Sequence, residues 1–236
     1  MPADSSSFLI SGSSRGLGRM LAEHYLSHGH KVYGCSRGEC DLSHENYRHF
    51  VLDISDEAST KAMFREVSKL GGRVDVLINN AGLALSKPFL LTTGENAKGI
   101  FDVNVIGSFN FMREATRLMM RQRYGRIIGF SSINVPLGSV GSSVYSASKA
   151  ATVELAHALA RETVGFDITI NTLGLSLVGG TGMAEGLSKK ASDDKTGALL
   201  KPDPLTIEDI VHAIDFLRMP AARNITNQII YFGGVR

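Results

Sequence analysis

The sequence predicts an α/β fold, a doubly wound, mostly parallel seven-stranded sheet with helices on both faces. Three observations carry that expectation. Short apolar runs alternate with longer amphipathic stretches, the pattern of β-α-β units. The short runs are continuously hydrophobic rather than alternating, as strands buried on both faces are. Glycine is abundant and proline scarce, 25 against 6, which suits many tight strand-to-helix turns.

The first strand is expected at Phe8–Ser11, followed by a glycine turn and a helix over Leu17–His28. A second strand at Lys31–Cys35 and a third at His49–Leu52 lead into a helix over Asp56–Leu70, with Ser55 as its N-cap. The fourth strand is read at Val74–Asn79, the fifth at Arg126–Ser131, with one long helix over Glu95–Arg123 between them. A helix over Tyr145–Thr163 precedes the sixth strand at Ile168–Leu173. Thr206 and Asp209 form a capping-box pattern for a helix over Ile207–Leu217, and the last strand is Gln228–Phe232.

Residues 1–236 carry no internal repeat and no linker, so one domain is expected. The weakly patterned stretch is 175–204, rich in Gly, Ser, Lys and Asp. A loop of that length late in an α/β domain is placed to act as a lid over a ligand at the sheet edge.

Composition excludes several roles. Formal charge is only +2 and the basic residues are scattered, which gives no basis for a nucleic-acid or membrane partner. The two cysteines, Cys35 and Cys40, have no His/Cys cluster to complete a ligand set, so no metal site is expected. Two thiols without a disulfide framework fit a reducing compartment. No basic-then-apolar leader and no apolar run of membrane length is present, so a cytoplasmic location is expected.

The glycine turn runs Ser11-Gly12-Ser13-Ser14-Arg15-Gly16-Leu17-Gly18 between the first strand and first helix. Its backbone N–H groups and the positive end of the helix dipole suit a pyrophosphate. A carboxylate after the second strand would hold the ribose hydroxyls of NAD. Here the chain reads Cys35-Ser36-Arg37 instead. Arg37, with Arg15 from the glycine turn, can take a 2′-phosphate by charge-assisted hydrogen bonds, which points to NADP(H).

Tyr145 and Lys149 are four positions apart at the start of a helix-forming stretch, which puts them on one face, a turn apart. A phenol with a pKa of about 10 exchanges protons poorly near neutrality. An ammonium at about 4 Å contributes up to roughly 4 kcal/mol at an effective dielectric of about 20, or about three pKa units. The pair is therefore a candidate acid–base unit.

In the order and spacing of these motifs the chain resembles the short-chain dehydrogenase/reductases in their compact single-domain, Rossmann-like form. The family's Thr-Gly-x-x-x-Gly-x-Gly turn is matched from Ser11 to Gly18, with Ser in place of Thr. Its adenine-binding acid after the third strand is matched by Asp53, followed by Ile54. Its Asn-Asn-Ala-Gly signature stands unaltered as Asn79-Asn80-Ala81-Gly82. The resemblance implies a catalytic tetrad of Asn104, Ser132, Tyr145 and Lys149, with Ser131 the neighbouring candidate for the serine. It implies cofactor contacts from Gly12, Ser14, Arg15, Gly16, Leu17, Gly18, Arg37, Asp53, Ile54, Asn80, Ala81, Gly82, Tyr145 and Lys149.

One departure stands out: where the family has Pro-Gly after the sixth strand, this chain reads Leu175-Ser176. Thr181-Gly182-Met183 resembles the family's Thr-x-Met with one extra residue before it, which leaves Thr181 as the candidate carboxamide contact. The activity expected from the resemblance is an NADPH-dependent ketone reductase, most similar to 3-oxoacyl-thioester reductases. Two alternatives stay open: a secondary-alcohol dehydrogenase acting on a polyol, steroid or secondary metabolite, and a non-catalytic NADP(H) sensor. The Glu95–Arg123 and Tyr145–Thr163 helices carry apolar residues on more than one face, among them Phe101, Phe109, Phe111, Met112, Met119 and Met120. The family buries these helices between subunits, which implies a homodimer or homotetramer.

Overall fold

The computed structural model describes residues 5–182 and 197–235. Its strands are β1 (Ser7–Ser11), β2 (Lys31–Ser36), β3 (Tyr47–Val51), β4 (Val76–Asn79), β5 (Tyr124–Ser132), β6 (Asp167–Leu175) and β7 (Ile229–Tyr231). They form one sheet in the order β3-β2-β1-β4-β5-β6-β7, with every neighbouring pair parallel. Seven expected strands are therefore seven observed, with ends shifted by at most two residues.

Helices α1 (Gly16–Ser27), α2 (Glu57–Lys69), α3 (Gly94–Phe101), α4 (Ser108–Gln122), α5 (Asn134–Leu137), α6 (Ser143–Glu162) and α7 (Ile207–Arg218) cover the sheet. On one face Leu21, Tyr25, Ile210, Ile214 and Leu217 pack against Phe8, Ile10, Ile128 and Leu173. On the other, Phe64, Phe111, Met119 and Ala156 pack against Leu9, Tyr33, Leu77 and Ile170. Consecutive strand residues such as Phe8, Leu9 and Ile10 serve opposite layers, and both layers are apolar, so the runs read as continuous.

The strand order proceeds outward from β1 to β3, then returns to β4 and proceeds the other way. The C-terminal ends of β1 and β4 therefore diverge into a crevice, the topological switch point where such sheets take ligands.

Three local expectations are corrected. The single helix over 95–123 is interrupted by a π-helical turn, Asp102–Gly107, between α3 and α4. Asn104, whose side-chain contacts are described below, lies within that turn. The N-cap of α2 is Asp56, not Ser55. Asp53 Oδ1 accepts from both the N–H (2.9 Å) and hydroxyl (2.7 Å) of Ser55, which occupies the serine, while Asp56 accepts from Ala58 and Ser59 N–H. Stretch 175–204 is not featureless where described: Leu175 belongs to β6, and Val178 pairs with Leu205 and Leu199 with Val235. Its middle, 183–196, with Met183, lies outside the described residues. The capping box of Thr206 and Asp209 on α7 is present as expected.

Candidate active site

The crevice begins at the glycine turn. Gly12 has φ +73°, and a Cβ on Gly18 would lie 2.2 Å from Gly12 O, so side chains at either position would distort the turn. Ser11 ties the turn to the neighbouring strand end. Its Oγ accepts from the N–H groups of Asn80 and Ala81, both at 3.0 Å, and donates to Asn79 Oδ1 at 3.3 Å. Asn80 Nδ2 returns bonds to Ser11 O (2.9 Å) and Gly12 O (3.2 Å). Two motifs almost 70 residues apart are thus one rigid unit.

At the start of α1 no side chain caps the helix and no acid occupies its first turn. Its N–H groups and dipole are left for an anion. Arg15, the N-cap, and Arg37, just past β2, are both exposed, and neither guanidinium group makes a hydrogen bond or ion pair among the described residues. Ser14, Gly16 and Leu17 line the same turn, half-buried. This region suits a dinucleotide phosphate: uncapped N–H donors, two unpaired guanidinium groups and no carboxylate at the end of β2.

Asp53 and Ile54 sit beyond β3. The Ile54 side chain is buried in the core and faces Gly107, where a Cβ would lie 2.5 Å from its Cδ1. Its carbonyl accepts from Thr60 Oγ1 (3.3 Å) and Asn110 Nδ2 (3.1 Å). Ile54 can therefore meet a ligand through its backbone N–H and not through its side chain.

Four chain segments converge past the ends of β4 and β5. Tyr145, half-buried, and Lys149, buried, occupy the first two turns of α6. Lys149 Nζ donates to Phe130 O at 2.9 Å and lies 6.0 Å from the centre of the Tyr145 ring. The Ser132 hydroxyl bonds that of Tyr145 and accepts from Asn134 N–H at 3.2 Å. The neighbouring Ser131 Oγ is buried with no hydrogen-bond partner among the described residues. Asn104 Oδ1 accepts from Leu83 N–H (2.7 Å), and its Nδ2 donates to Leu83 O and Ser148 Oγ, each at 2.9 Å. Gly82 fits against this group, since a Cβ there would lie 3.3 Å from Asn104 Oδ1 and 3.5 Å from Lys149 Nζ.

Burial governs both titrating groups. It pushes the Tyr145 phenol above its ordinary value, with the Ser132 hydrogen bond pulling it back in part. It lowers Lys149 to about 8. The expectation that Lys149 acidifies Tyr145 is thus opposed, in the protein alone, by desolvation of the phenol.

The family model for short chain dehydrogenase matches residues 7–192. This chain belongs to that family.

As a short-chain dehydrogenase it is an oxidoreductase acting on CH–OH and C=O groups. The 3-oxoacyl-[acyl-carrier-protein] reductase FabG of Escherichia coli (strain K12) is 30% identical over 236 residues, spanning 96% of this chain and 95% of that protein. FabG of Staphylococcus aureus (strain Mu50) is 30% identical over 242 residues, spanning 97% and 96%. Among solved structures, a short chain dehydrogenase from Leptospira borgpetersenii with bound NAD+ superposes with a TM-score of 0.89 at 22% identity, covering 98% of this chain and 92% of that one. A tyrosine-to-phenylalanine variant of ElxO with NADPH bound superposes with a TM-score of 0.87 at 24% identity, covering 96% of each chain. These two likenesses show the fold.

Within this short-chain dehydrogenase, Thr181 is buried and its Oγ1 donates to Val178 O at 2.8 Å, a local turn contact. Two structural partners were missed from sequence. Ser148 accepts from Asn104 and donates to Tyr145 O at 2.7 Å, and Ser11 joins the glycine turn to β4. Ser148 had one signal, its position three residues after Tyr145 and so one helical turn along. Among the described residues no helix is long and apolar enough to cross a membrane, and no His, Cys, Asp and Glu group could hold a metal ion.

Proposed function

We propose that this chain is an NADPH-dependent ketone reductase acting on a substrate with an apolar chain, of which a 3-oxoacyl thioester is the favoured example. The observation that carries the reading is the convergence of Ser132, Tyr145, Lys149 and Asn104 beside the glycine turn. Reduced nicotinamide held there would supply the hydride for the carbonyl carbon. Ser132 holds the carbonyl oxygen, and Tyr145 delivers the proton to it as the alcohol forms. Lys149 binds the nicotinamide ribose and, as a cation below pH 8, favours the ionised phenol against the desolvation that opposes it. Asn104 orders the water that replenishes the proton. Arg15 and Arg37 take the 2′-phosphate; their exposure, and guanidinium groups without partners among the described residues, support that role.

The apolar-chain assignment rests on the mouth of the cleft. A recess of about 460 Å³ beside the Tyr145 helix is lined by Pro88, Phe89, Gly138, Val140, Ser143 and Ser146. Phe89, Leu90 and Leu91 on one rim and Val140 on the other are strongly exposed, Leu90 at 93% and Val140 at 96%. The rims are held together by Lys87 N–H donating to Gly141 O at 2.8 Å. A polyol would gain nothing from these side chains, whereas an acyl chain would cover them.

The test is NADPH oxidation with β-ketothioesters of increasing chain length, simple ketones and oxidised polyols. Efficiency that rises with chain length supports the proposal. Tight NADPH binding without turnover on any carbonyl would favour a sensor, and best turnover on polyols would favour the alcohol dehydrogenase.

A further inference from the structure

Beneath the nucleotide crevice runs a polar chain that the catalytic group does not use. Ser13 Oγ lies 3.0 Å from the Tyr47 hydroxyl, which lies 2.9 Å from His49 Nδ1. On the far side of the ring, His49 Nε2 is 3.0 Å from Ser36 Oγ and 3.1 Å from Gly38 O, and Ser36 Oγ donates to Gly38 O at 2.7 Å. The Gly38 carbonyl fixes the direction of the bonds made to it. A carbonyl only accepts, so contact with Gly38 O places the ring proton on Nε2. Nδ1 faces the Tyr47 hydroxyl, which also reaches Cys40 Sγ at 3.8 Å, so ring and phenol are joined end to end. Ser36, whose proton goes to Gly38 O, accepts from His49.

The route exists because β2 carries glycine where the network crosses it. A Cβ at Gly34 would lie 2.3 Å from both Ser13 Oγ and the Tyr47 hydroxyl. Gly34 and His49 are Cα partners in the β2–β3 ladder, so a strand position that would otherwise carry an apolar residue is left open for hydroxyls.

The two ends of this chain are functional places. Ser13 belongs to the glycine turn, where its N–H donates to Cys35 O at 3.0 Å. Ser36 and Gly38 bracket Arg37, at the start of a stretch without regular secondary structure. We propose that Tyr47 and His49 are positioning residues that hold the Arg37 loop in fixed relation to the glycine turn, and thereby set the preference for NADP(H) over NAD(H). The proposal rests on the phosphate reading of Arg37 given above. Its physical basis is preorganisation: a loop already tied down loses less conformational freedom when a 2′-phosphate binds its arginine, and NAD(H), lacking that phosphate, is indifferent to the loop.

The experiment measures NADPH and NADH affinity separately for the wild type, Tyr47→Phe, His49→Ala and His49→Gln by titration calorimetry. Tyr47→Phe keeps the ring and deletes only the hydroxyl. It and His49→Ala are expected to weaken NADPH by about 3- to 10-fold, the worth of one or two hydrogen bonds, and NADH by less than about twofold. His49→Gln, which keeps a donor able to reach Ser36 and Gly38, recovers most of the NADPH affinity. Equal losses for the two cofactors, or NADPH affinity unchanged by Tyr47→Phe and His49→Ala, would overturn the positioning role while leaving the phosphate reading standing. A wild type that holds NADPH no more tightly than NADH sinks the phosphate reading, and this proposal with it.

Discussion

Asn104 and Ser148 meet at 2.9 Å, Nδ2 donating to Oγ, and this bond joins the π-helical turn to the helix that carries Tyr145 and Lys149. Ser148 passes the connection on to Tyr145 O at 2.7 Å. Because Asn104 also grips both backbone groups of Leu83, one amide side chain relates three segments of the cleft. Ser148→Ala is expected to lower stability by about 1–3 kcal/mol, the net value of the two hydrogen bonds its hydroxyl makes. Turnover should fall further, by roughly 10- to 100-fold, since small displacements of catalytic groups are costly to rate. Urea denaturation beside steady-state kinetics checks this; a drop in stability with unaltered turnover removes Ser148 from the catalytic support.

Tyr145→Phe isolates the proton donor. Turnover is expected to fall by about 100- to 10,000-fold, the usual contribution of a general acid. NADPH affinity should stay near the wild-type value, because the ring and the Lys149 contact to Phe130 O persist. Retained turnover would assign the proton to another group.

Lys149 gives a pH-dependent prediction whose sign follows from its burial. The unfolded chain keeps this proton up to about 10.5, while the folded protein releases it at about 8. Between those values the unfolded state binds more protons, so this group's contribution makes wild-type stability rise with pH across that window. Below pH 8 the full desolvation penalty is present, at most roughly 3 kcal/mol. Lys149→Met is therefore expected to be inactive yet more stable than the wild type at pH 7, by about 1–3 kcal/mol after losing the bond to Phe130 O. That advantage shrinks toward pH 10.5. Denaturation curves at pH 7 and pH 10 decide it, and a gap that widens with pH contradicts the assignment.

Arg37 tests cofactor choice directly. Arg37→Ala should weaken NADPH by about 10- to 100-fold, as expected for a charge-assisted contact, and leave NADH almost untouched. Arg15→Ala should act in the same direction. Parallel losses for both cofactors would place the phosphate elsewhere.

Association follows from the outer face of the interrupted helix. Phe111, Met112 and Met119 are buried against the sheet, whereas Phe101, Ile106 and Phe109 are exposed. Light scattering coupled to gel filtration is expected to give a dimer or tetramer, and Ile106→Lys combined with Phe109→Glu a monomer. A wild type that elutes as a monomer at micromolar concentration contradicts the expectation.

Much of the cleft was legible along the chain because its chemistry is encoded at short range. Tyr145 and Lys149 share a helix face by spacing alone, and Gly12 to Gly18 with Asn79 to Gly82 announce tight turns at strand ends. Less legible were contacts made across the fold. Nothing near residue 104 announces that its amide will hold Leu83, 21 positions earlier, and Ser148, 44 positions later, or that the helix is interrupted there by a π-helical turn. Ser55 looked like an N-cap because serine caps helices in general; Asp53 two residues earlier had taken its hydroxyl.

Sequence by itself determined the sheet-and-helix alternation, the strand-end motifs and the residue types able to exchange a proton or meet a phosphate, because periodicity and turn chemistry act over a few residues. Tertiary structure alone decided which of these face one another: that Ser11 binds Asn80 and Ala81, that Ser13 reaches His49 through Tyr47, and that burial raises Tyr145 while lowering Lys149. Those relationships depend on distances and desolvation between segments far apart in the chain, and such quantities come into being only when the sheet closes on its helices.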